Sequence, residues 1–446
     1  MKHLSGVEYL MAMPQYAHGA AALRPGLTGI TALLERMGNP HRGIPVIHVA
    51  GTNGKGSVAS YAASILTAHG LRCGLHTSPH LVHPGERMRV DGKAADAGWV
   101  GMVVDRHRAD IEAVGASYFE VTVALSLARF RESRVDASVV EVGLGGRLDA
   151  TNVLTPEVCV ITRVALDHTQ ILGNSVAGIA SEKAGIIKSG TTVVAGHQDP
   201  EAIAVIRQVC LSLGVRLQET GVDSSWQGHT LVTPKTKYSR LFPALEGSHQ
   251  LGNAATAVLA SAAFLTRTGR PTSAAAVRSG LRHVRRLAGL RARYEVWSED
   301  PLVVLDVAHN PDALLPLLDR FSADSRAGSG RRRILIGMME DKDHLPVFTR
   351  LRDLGFVVSP FVLSGPRALP AERILAGISR ARWDSGSEKT VGVDLIDDAP
   401  PLEAKDLDNF VSGLDSRDSL LVTGSHQVIG EFLARLDPPN LVMSGR

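Results

Sequence analysis

A glycine-rich turn with a single lysine is the segment of this chain whose residue types and spacing most clearly suggest chemistry. It follows a short apolar run and reads Gly51-Thr52-Asn53-Gly54-Lys55-Gly56-Ser57. Backbone N–H groups in such a turn point at phosphate oxygens, and the lysine adds positive charge. The apolar run 58–66 predicts a helix whose amino terminus faces the same anion. The turn therefore predicts nucleotide binding by Thr52, Asn53, Gly54, Lys55, Gly56 and Ser57.

This turn differs from the general phosphate-loop pattern GxxxxGK[ST]. Gly56 follows the lysine directly, Ser57 comes one place late, and Val49 occupies the position of the early glycine. The segment is thus a variant loop. The alternative interpretation is an ordinary glycine-rich turn between a strand and a helix.

Polar residues follow three further predicted strands. Ser78 comes after Cys73–His76, Glu141 lies at the end of 137–142, and His168 comes after 158–163. Because ligands of open α/β sheets bind outside the carboxyl ends of the strands, these side chains are expected to converge with Lys55. A hydroxyl, a carboxylate and an imidazole beside phosphate suit Mg²⁺. Taken singly, each residue also has a structural explanation as a turn serine, a solvated glutamate or a helix cap.

A second glycine cluster, Gly143-Leu144-Gly145-Gly146, raises the alternative of a dinucleotide fold. The third glycine of GxGxxG would fall on Leu148. This signal is weaker than the phosphate loop.

Composition bounds the class of protein. The chain has 446 residues, 44% hydrophobic content and a formal net charge of +3, which predicts two domains and gives no indication of nucleic-acid binding. Three widely spaced cysteines suggest neither disulfides nor a zinc site. The longest apolar stretch is too short to span a bilayer, so no membrane partner and a cytoplasmic location are expected.

Strand-like and helical runs alternate along the chain, which predicts an α/β protein with mainly parallel sheets and helices on both faces. The alternation begins again after Glu299-Asp300-Pro301, a turn signal. We therefore expect a phosphate-loop domain over 1–297 and a smaller Rossmann-like α/β domain over 298–446. The predicted strands are Val46–Val49, Cys73–His76, Ala137–Val142, Val158–Arg163, Thr191–Ala195, Leu302–Val307, Arg333–Gly337, Val357–Leu363 and Ser419–Val422.

Taken together, the motifs resemble those of the folylpolyglutamate synthase and dihydrofolate synthase family, a branch of the Mur-type ATP-dependent amino-acid ligases. The similarity runs through nearly the whole chain in family order. It is carried by HVAGTNGKGS at 48–57, TSPHL at 77–81, ERMRV at 86–90, EVGLGGRLDATNV at 141–153, ALDHTQILG at 165–173, IASEKAGIIK at 179–188, GSHQLGNAA at 247–255 and DVAHNP at 306–311.

The resemblance implies that Ser78, Glu141 and His168 hold Mg²⁺ while the loop around Lys55 binds ATP. It also implies that Lys183 is carbamylated by CO₂, which turns a cation into an anion that helps to hold a second Mg²⁺. Judged from the sequence alone, a lysine beside Glu182 would be a solvated cation.

Further roles follow from the same resemblance. Gln250 and Asn253 match residues near the adenine, and Phe119 and Asp149 match residues that contact the pterin. The second domain would bring Arg293, Asp306 and His309 to the phosphates and the incoming glutamate. Without the resemblance these positions would be explained as helix caps, strand-end hydrogen bonds and a core phenylalanine.

One position departs from the family pattern. The stretch before Arg293 reads Leu290-Arg291-Ala292, whereas the family usually has a Pro-Gly pair immediately before its arginine.

The implied reaction is an ATP-dependent ligation. The γ-phosphoryl group passes to a carboxylate of a folate-type acceptor, the amine of L-glutamate attacks the acyl phosphate, and phosphate leaves. Lys55, Lys183 and His309 would be the catalytic residues, and a monomer is expected. Two alternatives stay open: a related Mur-type ligase acting on another carboxylate, and a nucleotide-binding module without turnover.

Overall fold

The computed structural model describes residues 4–14, 26–384 and 401–437. The chain divides into two compact units, Met1–Leu290 and Arg291–Arg446. The domain boundary predicted at residue 297 lies within the strand Glu295–Glu299, which pairs with Leu302–Leu305 in the second unit. The turn at 299–301 therefore joins two strands of one sheet.

The first unit is built on an eight-stranded sheet with the order β4-β3-β2-β5-β1-β6-β7-β8, accompanied by a three-stranded sheet with the order β11-β10-β9. In the large sheet only the β2–β3 and β3–β4 pairs are antiparallel. The strands are β1 Val46–Ala50, β2 Cys73–His76, β3 Met88–Val90, β4 Lys93–Ala94, β5 Ala137–Glu141, β6 Val158–Ile161, β7 Thr192–Ala195, β8 Arg216–Glu219, β9 Ser225–Gln227, β10 Thr230–Val232 and β11 Lys237–Tyr238.

Helices connect these strands, together with 3₁₀ turns at Pro84–Arg87 and Ala150–Val153. Local sequence fixes helix starts: Ser117, which precedes the helix beginning at Tyr118, forms a capping box with Glu120 in the first turn. The helices are α1 Gly6–Ala12, α2 Thr28–Arg36, α3 Lys55–Ala68, α4 Ala97–Val114, α5 Tyr118–Glu132, α6 Thr169–Leu172, α7 Val176–Ala184, α8 Pro200–Leu213, α9 Ser248–Arg267, α10 Ala274–Arg282 and α11 Val284–Ala288.

Both faces of the large sheet are covered. Alternate residues of β1 and β5, such as Val49 and Val139, pack with α3 and α9 in one apolar cluster. Val46 and Val140 face a second cluster that includes α4 and α5. A strand buried on both faces explains why Val46–Ala50 is an almost continuous apolar run.

The second unit contains one five-stranded sheet with the order β12-β13-β16-β14-β15, in which only the β12–β13 pair is antiparallel. A 3₁₀ turn at Ala404–Asp406 precedes its fourth helix. The elements are β12 Glu295–Glu299, β13 Leu302–Leu305, β14 Arg332–Ile336, β15 Val357–Pro360, β16 Ser419–Thr423, α12 Pro311–Ser322, α13 Leu345–Asp353, α14 Ala371–Asp384, α15 Leu407–Ser412 and α16 His426–Leu436.

The predicted α/β architecture is confirmed. Every predicted strand is present, with ends that differ by a few residues, and both large sheets are mainly parallel. None of the helices in the described part of the chain combines the length and apolar character that crossing a bilayer requires.

Candidate active site

The phosphate loop leaves the buried strand β1 and enters α3. Its backbone is anchored to the loop after β6, because the amides of Thr52 and Asn53 donate to the carbonyl oxygen of Arg163 at 2.8 and 3.2 Å. The Thr52 hydroxyl donates to the carbonyl oxygen of Ala165 at 3.0 Å and accepts from the Ala165 amide at 3.1 Å. The amides at the start of α3 have no intrahelical acceptor, and a helix amino terminus of this kind suits an anion.

Gly54 sets the direction of this turn. It caps α3 with φ 87°, a left-handed conformation that glycine adopts without strain. The ammonium group of Lys55 donates back to the carbonyl oxygen of Thr52 at 3.1 Å. The lysine charge thus lies over the glycine-rich turn, where an anion would bind.

Lys183 lies at the same loop. It occupies the last turn of α7, is 3% exposed, and donates from Nζ to the carbonyl oxygen of Gly51 at 2.8 Å. Burial lowers the pKa of Lys183 to about 7, and the charge of Lys55 acts in the same direction, whereas the carboxylates of Asp167 and Asp149 oppose the shift. The ammonium form of this lysine is therefore easily lost near neutral pH.

Glu141 and Ser78 meet beside the phosphate loop. Glu141 is the last residue of β5, is 4% exposed, and pairs in register with Val49 of β1. The Ser78 amide donates to its Oε2 at 3.1 Å. The two residues that were predicted to share a metal are therefore neighbours.

His168 follows β6 in a left-handed conformation with φ 50°. Its amide donates to Oδ1 of Asp167 at 2.8 Å, and its Nε2 lies 4.0 Å from Oδ2 of the same carboxylate. Asp167 has a nearly buried side chain that acts electrostatically on Lys183. Asp167 was not among the predicted site residues, although its place in the strand-end run Leu166-Asp167-His168 was an available signal.

The start of α9 packs against the phosphate loop. Gln250 donates from Nε2 to the Ser57 hydroxyl at 3.3 Å, and Asn253 donates to Oε1 of Gln250 at 3.0 Å. A Cβ placed on Gly54 would lie 2.6 Å from Oδ1 of Asn253. Both predicted adenine-side residues therefore contact the loop that was predicted to bind the phosphates.

Phe119 and Asp149 border the glycine segment after Glu141. A Cβ on Gly143 would lie 2.4 Å from Cζ of Phe119, so the aromatic ring rests directly on this backbone. Asp149 is 7% exposed and its carboxylate accepts from the Leu144 amide at 2.9 Å. Burial raises the pKa of Asp149, while these hydrogen bonds oppose the rise.

Two of the three predicted residues of the second unit, Asp306 and His309, follow β13, whereas Arg293 precedes β12. The carboxylate of Asp306 accepts from the amides of Tyr294 at 2.7 Å and Ala308 at 2.8 Å. Nδ1 of His309 donates to the carbonyl oxygen of Val307 at 3.0 Å, and its ring centre lies 5.5 Å from that of His426.

Arg293 donates to the carbonyl oxygen of Ala292 at 3.1 Å. Ala292, which stands where the family usually has glycine, adopts φ 54°. This left-handed conformation is the one that glycine favours. The departure from the family pattern is therefore a change of residue at a position that keeps a glycine-like backbone.

The donor set fits Mg²⁺ although it is small. Among the described residues no group of three or more His, Cys, Asp or Glu side chains is placed to hold a metal ion. Mg²⁺ needs less than this, because it is commonly bound through one or two carboxylates together with water and substrate phosphates. The buried Glu141 carboxylate and the adjacent Ser78 are oxygen-bearing groups of this kind.

Comparison with known proteins identifies the family. The Mur ligase middle domain matches residues 49–261, and the Mur ligase glutamate ligase domain matches residues 292–426. Folylpolyglutamate synthase of Lacticaseibacillus casei is 35% identical over 387 residues, which cover 83% of this chain and 88% of the relative. The chain belongs to the folylpolyglutamate synthase and dihydrofolate synthase family.

Other members of the family agree. Dihydrofolate synthase/folylpolyglutamate synthase of Escherichia coli is 33% identical over 424 residues, covering 92% of this chain and 91% of the relative. The solved structure of E. coli FolC in complex with DHPP and ADP has a TM-score of 0.78 at 30% identity and covers 97% of each chain. An FPGS-AMPPCP-folate complex has a TM-score of 0.75 at 30% identity, covering 96% of this chain and 98% of the other. The family predicted from the motifs is confirmed.

Proposed function

We propose that this chain is an ATP-dependent ligase that joins L-glutamate to a carboxylate of a folate-type acceptor through an acyl phosphate. The observation that carries the proposal is the approach of Lys55 and Lys183 to one glycine-rich turn, with Glu141 at the neighbouring strand end. A triphosphate and a carboxylate repel each other, and positive groups at a helix amino terminus offset that repulsion.

Lys55 and the amides at the start of α3 bind the ATP phosphates in this proposal. Gln250 and Asn253 define the adjoining wall, which we assign to the adenine side. Ser78, Glu141 and His168 would hold Mg²⁺, and that ion when bound neutralises phosphate oxygens as the phosphoryl group transfers. We assign Phe119 and Asp149 to the acceptor because they border the glycine segment that follows Glu141.

Lys183 has the property that carbamylation requires. The neutral amine attacks CO₂, a nitrogen–carbon bond forms and one proton is released, which converts the side chain into an anion. The lowered pKa of Lys183, about 7, supplies the neutral amine near neutral pH. Asp306 and His309 match the family motif DVAHNP at 306–311, and Arg293 resembles the family arginine that precedes it. We assign all three residues to the phosphates and to glutamate.

The remaining features of the proposal are a monomeric protein and a cytoplasmic location. The three cysteines, Cys73, Cys159 and Cys210, are buried free thiols, which supports a reducing compartment. Sedimentation analysis of the purified chain tests the monomer directly.

Mass spectrometry of reaction products tests the function. The chain is incubated with ATP, Mg²⁺ and L-glutamate, and with either dihydropteroate or tetrahydrofolate as acceptor. We expect the acceptor mass to increase by one or more glutamyl residues with release of ADP. ADP release only with a different carboxylate would favour the alternative ligase, and no ADP release with any acceptor would favour the binding module.

A further inference from the structure

Three buried polar side chains, His48, Thr151 and Asp149, form a hydrogen-bonded series that links β1 to the glycine segment 143–149. Oδ1 of Asp149 lies 2.5 Å from the Thr151 hydroxyl, and Nε2 of His48 lies 2.8 Å from the same hydroxyl oxygen. His48, in the middle of β1, and Thr151 are both 0% exposed. Burying an imidazole inside a five-residue strand of otherwise apolar residues is costly unless the ring is hydrogen-bonded, so the contact with Thr151 offsets part of that cost.

The direction of the hydrogen bonds among His48, Thr151 and Asp149 follows from counting protons. The Asp149 carboxylate accepts from the Leu144 amide, and its Oδ1 also accepts from the Thr151 amide at 3.0 Å. An acceptor of this kind takes the single hydroxyl proton of Thr151 as well. The Thr151 oxygen is then left as an acceptor, so the imidazole of His48 must donate from Nε2.

His48 is therefore held in one tautomer. Burial, aided by the charge of Lys188, lowers the pKa of His48 to about 3, so the ring is neutral at physiological pH. Its Nδ1 is buried and has no hydrogen-bond partner among the described residues. The bond to Thr151 is thus the one directional contact that fixes this ring.

Asp149, at the other end of this hydrogen-bonded series, lies on the side that we assign to the acceptor. Asp149 holds the amide of Leu144, and the preceding Gly143 supports the ring of Phe119. A change in the orientation of the Asp149 carboxylate would move the glycine segment on which Phe119 rests. His48 itself is too deeply buried to contact a substrate.

We propose that His48 and Thr151 are positioning residues that fix the Asp149 carboxylate, and with it the glycine segment, for binding of the folate-type acceptor. This inference rests on the proposed function, in which Phe119 and Asp149 border the acceptor. It assigns to the strand residue His48 a role in acceptor affinity that acts only through Thr151.

Steady-state kinetics of three variants test the proposal. Thr151→Val keeps the shape of the side chain but removes the hydroxyl, and Thr151→Ser keeps the hydroxyl. Thr191→Val removes a similarly buried hydroxyl, immediately before β7, that donates to the backbone carbonyl oxygen of Lys188. We expect Thr151→Val to raise the KM for the acceptor about tenfold, the size of one lost hydrogen bond to a charged group, and Thr151→Ser to restore it. The KM for ATP should stay within about twofold of wild type in every variant.

Three results would overturn the proposal: an unchanged acceptor KM in Thr151→Val, an equal rise in the KM for ATP, or the same acceptor defect in Thr191→Val. If Thr151→Val does not fold, His48→Leu is measured in its place with the same criteria.

Nitrogen NMR of histidine-labelled protein gives a readout that does not depend on turnover. We expect His48 to carry its proton on Nε2 in the wild type and to lose this fixed tautomer in Thr151→Val. A proton on Nδ1 in the wild type would contradict the inference even if the enzyme is active. Absence of turnover in the wild type, with the expected tautomer present, would instead count against the proposed function alone.

Discussion

The ammonium group of Lys183 donates a hydrogen bond to the carbonyl oxygen of Gly51 at 2.8 Å across a separation of 132 positions in the chain. This contact joins the last turn of α7 to the first residue of the phosphate loop. Because the lysine is buried next to Lys55, its proton is held weakly. One side chain is thereby both an anchor of the loop and a candidate for covalent modification.

Replacing Lys183 should change how stability depends on pH. The folded-state pKa of about 7 lies below the ordinary value of 10.5, so between these values the unfolded chain binds more protons. The free energy of unfolding contributed by Lys183 therefore rises with pH through this window and is lowest below about pH 7. The free energy of unfolding of Lys183→Met minus that of wild type should therefore be larger at pH 6 than at pH 9.5, by at least about 1 kcal/mol.

Urea unfolding in CO₂-depleted buffer at the two pH values measures this difference. Lys93→Met, at an exposed position of β4, is the control and should show no comparable trend. If the difference in the free energy of unfolding between Lys183→Met and wild type does not vary with pH, the pKa of Lys183 is not lowered by burial.

Lys55→Ala and Glu141→Ala should each abolish ATP-dependent amide formation. Loss of a positioned charge at a phosphoryl-transfer site costs at least about a hundredfold in rate. Product formation is measured with the fold checked by circular dichroism, and Lys93→Ala serves as the exposed control. Wild-type activity in either variant would remove that residue from the site.

Gly54→Ala should weaken ATP binding by steric overlap as well as by backbone strain. The new methyl group would lie 2.6 Å from Oδ1 of Asn253, and the backbone φ is 87°. We expect at least about a tenfold loss of ATP affinity by calorimetry, because a shift in the loop moves its phosphate-binding amides.

Gly70→Ala is a matched control for this change, since Gly70 has φ 84° and no atom beyond its two chain neighbours lies within 4 Å of the position that its new methyl group would take. It should cost about 1–2 kcal/mol of stability and leave ATP affinity unchanged. The double variant Gly54→Ala/Asn253→Ala should relieve the overlap but not the strain. Equal ATP affinity in Gly54→Ala and Gly70→Ala would argue against the contact with Asn253.

Gly143→Ala should act mainly on the acceptor. The added methyl group would lie 2.4 Å from Cζ of Phe119, so the aromatic ring must move. We expect the acceptor KM to rise at least about fivefold while the KM for ATP changes little. Gly252→Ala, in α9, is the control, because no atom beyond its chain neighbours and the backbone of its own helix lies within 4 Å of the added methyl group. An acceptor KM that stays at the wild-type value in Gly143→Ala would show that Phe119 has no part in acceptor binding.

The sequence predicted the regular elements because their signals are local. Apolar runs and turn residues located all nine predicted strands, from β1 to β16, with ends that differ by a few residues. The short strands β3, β4, β9, β10 and β11 were not predicted, since strands of two or three residues carry too little pattern. β8 was missed because its residues Arg216–Glu219 contain no apolar run. β12 was also missed, because its half-buried residues lack an apolar run and it lies across the expected domain boundary.

The sequence by itself also determined the family and the order of its motifs, because those motifs are contiguous and specific. Only the tertiary structure decided how they act on each other. In the folded chain Lys183 donates a hydrogen bond to Gly51, and the charge of Asp167 acts on Lys183. The side chain of Asn253 lies close to Gly54. Burial and through-space charge arise when distant segments pack together, so the weakly held proton of Lys183 could not be read from the residues around it.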